Sequence, residues 1–365
     1  MTKTKNILFL VAIVFITSII VWLPFIINNQ TFQLFANYDG PNYLVISKCW
    51  YNPQCISRSF SLSLPLEYYP AHFPGYPATI SIFDVILPGW WAMIFSTLLG
   101  TILYAISLYL LFDLLKIKQK VYLVVLALFL PARFLILRTV GAPEPWFLFS
   151  IVSSIYFYKK DKYLYSAIFL AFAQTIKTPA VLLLVAYGID YLIKNWRQNL
   201  IKNISKYLVY LVVPLAVIGV FSLYFFQIGN FFAYFQSGDN FHLVFPPFQV
   251  FDSSRPWLGD IWMEDIIFIY LLGGVVLIKL YEKYKTDIMF LFPLVFFIAT
   301  IFVAHRDISR YSAPIYPFAI IAFNDFLRKK EFKILFLILL PAIYLYSINF
   351  ISQNTAPVAD WTPYN

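Results

Sequence analysis

Cysteine, histidine and charge are all scarce in this chain, and each shortage removes a class of function. The three histidines, at 72, 242 and 305, and the two cysteines, at 49 and 55, form no cluster with metal-ligand spacing. That argues against a structural or catalytic zinc site, and no metal or other cofactor is expected. Charged residues are 12% of 365 positions, against about 25% in an ordinary soluble domain. A Gly-rich phosphate loop, an Asp-x-Asp pair and a soluble nucleotide-binding segment are also absent. A cytosolic nucleotide sugar is therefore not the expected substrate.

What fills the chain is apolar surface: 61% of residues are hydrophobic and the mean hydropathy is +0.74. The expected fold is an all-α polytopic membrane protein, one integral membrane domain over residues 1–365. Apolar runs predict spans at Ile7–Ile27, Trp90–Leu115, Val121–Leu137, Trp146–Tyr158, Tyr163–Thr175, Ala180–Ile193, Tyr207–Phe226, Ile266–Leu280, Ile288–Ala304, Ser312–Phe326 and Phe332–Ile351, about eleven transmembrane helices. The first run is longer than a signal-peptide core and is expected to remain as an anchor.

A net charge of +9 does not point to nucleic acid, because the basic residues fall in short clusters between apolar runs. Most of the 27 Lys and Arg lie where strict alternation puts inner loops, as the positive-inside rule requires. The N-terminus is then cytoplasmic in a multi-pass plasma-membrane protein, and the exceptions sit at or near the outer face. They are Lys48, Arg58, Arg133, Arg138, Lys177, Arg255, Arg306 and Arg310. Arg133 and Arg138 read as anchors at lipid headgroups.

Two long segments are expected outside, 28–85 and 227–265. Loops of such length tend to carry function. The first holds Asp39 between Tyr38 and Tyr43, then both cysteines, then His72 and Tyr76. Asp39 reads either as a general base or as the N-cap of a short helix beginning at Pro41. Cys49 and Cys55 lie in the same outer loop, where an oxidising compartment permits a small disulfide. His72 reads as an orienting group or as a structural histidine. Glu144 reads as a ligand for an acceptor hydroxyl or as a cap for the span that follows. Arg306 and Arg310 share a face if their segment is helical, with Asp307 available to neutralise one of them. The second loop, with Asp239, His242, Asp252, Arg255, Asp260, Glu264 and Asp265 among aromatics, suits a cap over a binding site or an ordinary exposed loop.

Several of these motifs together resemble the lipid-linked-sugar glycosyltransferases of the GT-C fold. The resemblance is closest to the branch with the second mannosyltransferase of glycosylphosphatidylinositol assembly and its prokaryotic relatives. Asn37-Tyr38-Asp39-Gly40-Pro41-Asn42-Tyr43 is similar to that branch's aromatic-Asp motif after the first span, and Ala71-His72-Phe73-Pro74-Gly75-Tyr76-Pro77 to its Phe-Phe-Pro-Leu-Tyr-Pro motif. Pro143-Glu144-Pro145, the stretch 171–180 and the run from His305 to Pro317 resemble later family motifs. The departures are Asn42 for His or Trp, Gly75 for a bulkier residue, and Lys177 for Arg.

The resemblance implies a polyprenyl-phosphate-linked sugar as donor and a glycan, glycolipid or protein as acceptor, with the reaction at the surface of the membrane lipid. It implies Asp39 as base, with Tyr38, His72, Tyr76, Glu144, Lys177, Arg306 and Arg310 holding substrate. The rival reading is a flippase or transporter for lipid-linked oligosaccharides. That class favours internal repeats and polar breaks at the bilayer midplane, whereas here the unusual charges gather toward one face. A lipid-linked glycan ligase would keep its large outer loop late in the chain, and here the longest comes first.

Overall fold

A computed structural model describes the chain except residues 1, 38, 62–63, 197–203, 238–241, 253, 255–262, 357, 359, 361 and 365. Among the described residues there is no strand, only two isolated bridges, Asn37 with Thr355 and Leu243 with Val303. Everything else regular is helix: α1 (Lys3–Ile27), α2 (Phe32–Phe35), α3 (Gly40–Cys49), α4 (Pro53–Ser59), α5 (Gly75–Phe83), α6 (Gly89–Leu114), α7 (Lys120–Ala127), α8 (Ala132–Leu137) and α9 (Glu144–Tyr158). There follow α10 (Tyr163–Ile176), α11 (Val181–Asn195), α12 (Val212–Ile228), α13 (Glu264–Tyr284), α14 (Ile288–Thr300), α15 (Ile308–Tyr311), α16 (Tyr316–Ala322), α17 (Asn324–Leu327) and α18 (Lys330–Gln353). Short 3-10 turns join several of them.

Four of these helices are long and apolar enough to cross a membrane: α1, α6, α18, and α12 with its leading turn from Leu208. Much of α1 and α18 is exposed apolar surface, including Leu8, Ile16, Leu337 and Ile338. Such surface has no place in water and points to a membrane protein.

The apolar runs became helix almost as expected, with two instructive breaks. The run 121–137 divides into α7 and α8 because Pro131 has no N–H to donate and disfavours a helical Leu130. The run 312–326 divides into a 3-10 turn, α16 and α17. The segment 28–85 is more ordered than a loop, for it contains α2 to α5 and a 3-10 turn at Leu66–Ala71.

Arg138 explains how the first break is tolerated, and it corrects the headgroup-anchor reading. It is fully buried. Its Nε donates to the Leu128 carbonyl at 2.8 Å, a group that loses its helical partner at the break, and its Nη2 donates to Thr17 Oγ1 in α1 at 3.0 Å. A buried guanidinium survives only when such partners surround it. Arg133 is likewise no free anchor: its Nη2 lies 2.7 Å from Asp307 Oδ1 and its guanidinium sits over the Phe350 ring. Asp307 therefore serves Arg133, not Arg306 or Arg310 as the sequence suggested.

Contacts between helices define two ends of the bundle. At one, Asn6 Nδ2 donates to the Tyr109 hydroxyl, Lys159 pairs with Asp287, and Lys333 Nζ donates to Gln119 Oε1. At the other, Trp22 Nε1 donates to the Thr139 carbonyl and Asn37 Nδ2 to the Ile351 carbonyl. Lysine clusters mark the first end and the 28–85 segment occupies the second. There Cys49 and Cys55 are joined in a disulfide, tying the end of α3 to α4. The tail beyond α18 folds back over this end: Ala356 N donates to the Ala36 carbonyl at 2.8 Å, and Tyr364 is buried with its ring against Phe60. The tail thus pins the backbone three residues before Asp39.

Candidate active site

Five side chains from four segments meet at that second end. Asp39 and His72 come from the 28–85 segment, Glu144 from the first position of α9, Lys177 from the cap of α10, and Arg310 from α15. All five line one cavity of about 170 Å³, together with Tyr43, Phe73, Thr178, Tyr234, His242 and Tyr311.

Local sequence explains each placement. Asp39 stands at the N-cap position of α3, entered through Gly40-Pro41, but its side chain makes no capping bond. It turns instead toward the cavity, where Oδ1 is 3.7 Å from His72 Nε2 and Oδ2 is 3.6 Å from Arg310 Nη2. Capping does not account for its carboxylate. Gly75 allows the His72 segment to close on α10, since a Cβ there would lie 2.7 Å from the Thr175 carbonyl oxygen. The bulkier residue that the resemblance leads one to expect would collide with α10 two residues before Lys177.

Glu144 is the electrostatic hub. Its carboxylate is only 3% exposed, and the single oxygen Oε1 accepts from Lys177 Nζ at 2.6 Å and from Arg310 Nε at 2.7 Å. Its other oxygen, Oε2, is buried with no hydrogen-bond partner among the described residues. Such an acceptor is costly unless a ligand fills it. Two cations and two carboxylates thus interleave, with Arg310 shared between Glu144 and Asp39.

The surroundings tune these groups. Burial acts to raise the Asp39 carboxyl, but His72, Arg310 and Lys177 together outweigh it and hold the group well below the usual carboxylate range. Burial lowers the Lys177 ammonium, and the charge of Glu144 opposes that shift. Burial, with the charges of Asp39 and Glu144, pushes the Tyr43 hydroxyl well above its ordinary value, so it stays a proton donor at neutral pH. His305 packs at a tilt beside His242, with ring centroids 4.7 Å apart, and burial followed by that neighbour lowers it to about 4.

Of the described residues expected to form a site, then, Asp39, His72, Glu144, Lys177 and Arg310 come together, and Arg306 and Tyr76 do not. Arg306 is exposed and does not line the cavity, because the helix begins only at Ile308 and the assumed four-residue face does not exist. Tyr76 lies behind the wall: its hydroxyl is 2.6 Å from Thr97 Oγ1 and its ring edge supports Tyr43. Tyr38 lies outside the described residues, as do Asp239, Arg255 and Asp260 of the second loop. That loop nevertheless supplies Tyr234 and His242 to the wall, with His242 held through its carbonyl, which accepts from Ala304 N at 2.8 Å.

The residues missed were chiefly Tyr43, Tyr234 and Tyr311. Tyr43 belongs to the first motif and could have been found from its spacing after Asp39. The other two carry no signal in so aromatic a chain. No family model matches the sequence, and no curated protein matches it.

Proposed function

We propose that the protein is an integral membrane glycosyltransferase of about eleven spans. It moves a sugar, mannose-like by resemblance, from a polyprenyl-phosphate donor to a hydroxyl of a glycan, glycolipid or protein acceptor. The N-terminus is cytoplasmic and the cavity opens on the extracytoplasmic side of the plasma membrane. One observation carries the reading: a carboxylate and two cations, distant in sequence, line one cavity at the end of the bundle where a lipid phosphate would lie.

The chemistry follows from that arrangement. The acceptor oxygen attacks the anomeric carbon and passes its proton to Asp39, while the carbon–oxygen bond to the phosphate breaks on the opposite face. The bonding pair leaves with the polyprenyl phosphate, whose charge Lys177 and Arg310 neutralise, and the sugar is inverted. A carboxylate held as low as Asp39 is a weak base. Arg310, however, sits 2.7 Å from Glu144 and 3.6 Å from Asp39, and an incoming phosphate draws it further from the aspartate. Donor binding thereby weakens one of the interactions that lower Asp39, while the larger one, with His72, remains. Lys177 supplies a point charge, where an arginine would supply a fork. A flippase would need its polar site near the bilayer midplane, and the position of this cavity at the bundle end favours transfer.

Purified protein in lipid, offered a panel of radiolabelled polyprenyl-phosphate sugars and nucleotide sugars, tests the reading. Label is expected to move to acceptor only from the lipid-linked donors. Use of nucleotide sugars alone would overturn the mechanism.

A further inference from the structure

A second concavity lies at the opposite end of the bundle, where it shares no residue with the Asp39 cavity. It is an open groove of about 760 Å³ between the first turns of α1 and the connection from α6 into α7, lined by Asn6, Phe9, Ile117, Lys118, Gln119, Lys120, Val121, Tyr122 and Val125. Its two halves differ in chemistry. Phe9, Val121 and Val125 make an apolar floor, and Phe9 is exposed in line with Leu8, Ile16 and Ile20 on the outer face of α1. The groove is thus continuous with the surface this helix presents to lipid.

The other half is basic and polar. Lys118 is exposed and forms no ion pair among the described residues. Lys120 pairs with Asp113 and lies over the Tyr109 ring. Lys333 reaches across from α18, donating to Gln119 Oε1 at 2.7 Å with its ammonium 5.1 Å from the centre of the Tyr122 ring. Of the three lysines at this rim only Lys120 pairs with a carboxylate among the described residues, so the rim keeps an excess of positive charge. Beneath them the Tyr122 hydroxyl is buried with no hydrogen-bond partner among the described residues.

From this pairing of an apolar floor open to the bilayer with an under-neutralised basic rim, we propose that the groove binds an anionic phospholipid. The phosphate sits among Lys118, Lys120 and Lys333, and one acyl chain runs along Phe9, Val121 and Val125. A soluble phosphate would leave the apolar floor uncovered, and a zwitterionic lipid would leave the rim charge unanswered. The proposal is independent of the sugar-transfer reading.

Native mass spectrometry of the full-length protein, equilibrated with equal amounts of dioleoylphosphatidylglycerol and dioleoylphosphatidylcholine, tests it. The wild type is expected to retain the anionic lipid in preference, and Lys118→Glu to lower that preference about fivefold or more, the scale of one juxtamembrane lysine. Lys118 is exposed and makes no ion pair or side-chain hydrogen bond among the described residues, so the substitution is expected to leave the fold in place. Lys283→Glu, at the same end but outside the groove, is expected to keep the preference, and added glycerol 3-phosphate is expected not to displace the lipid. Equal retention of the two lipids overturns the proposal. So does an equal loss in Lys283→Glu, which would mean a diffuse surface potential, or displacement by glycerol 3-phosphate, which would mean a soluble ligand.

Discussion

Asp39→Asn is expected to abolish sugar transfer, by a factor of about 10³, while leaving the fold and donor binding in place. Asparagine keeps the shape and an oxygen toward His72 and Arg310 but cannot take the acceptor's proton. The substitution should cost little stability, because the carboxylate is about a third exposed and its contacts are long, 3.6 and 3.7 Å. Single-turnover transfer from a labelled donor, run beside a thermal melt, separates chemistry from folding. Transfer within tenfold of wild type would remove Asp39 from the role of base and turn attention to Glu144, whose Oε2 is unpartnered.

Glu144→Gln should have the largest effect on stability among the site residues. The carboxylate is nearly sealed from solvent and holds both Lys177 and Arg310 on one oxygen. Removing its charge leaves two confined cations facing Asp39 alone. Breaking a buried ionic network in this way costs about 3–5 kcal/mol, which should appear as a clear drop in thermal midpoint. The signature of the proposed role lies in the reverse experiment: polyprenyl-phosphate donor should stabilise Glu144→Gln more than wild type, because its phosphate replaces the missing negative charge. An unchanged midpoint would mean that the network carries little, and equal stabilisation by donor would mean that the phosphate does not meet these cations.

The helices were legible because long apolar runs separated by lysine clusters leave few alternatives. What could not be read were the consequences of packing. Pro131 breaks a run that hydropathy joins, and the fully buried Arg138 that repairs the break reads in sequence as an interfacial cation. The site was legible in its members but not in its wiring. Asp39, His72, Glu144, Lys177 and Arg310 each stood out as polar groups flanked by apolar spans. That Glu144 would clamp both cations follows only from the meeting of α9, α10 and α15. Arg306 shows the converse error, since a four-residue spacing implies a shared face only inside a helix, and the chain is irregular before Ile308. Gly75 looked like a departure from an expected motif and is instead what lets that motif approach Thr175.

The Asp39 cavity is proposed to hold the phosphate end of a lipid-linked sugar. Photolabelling tests it most directly, using a polyprenyl-phosphate sugar that carries a diazirine beside the phosphate, with adducts mapped by peptide mass spectrometry. Adducts are expected within residues 174–180 and 305–317, suppressed by unlabelled donor. Competable adducts confined to the lysine-rich end or to the middle of the bundle would contradict it.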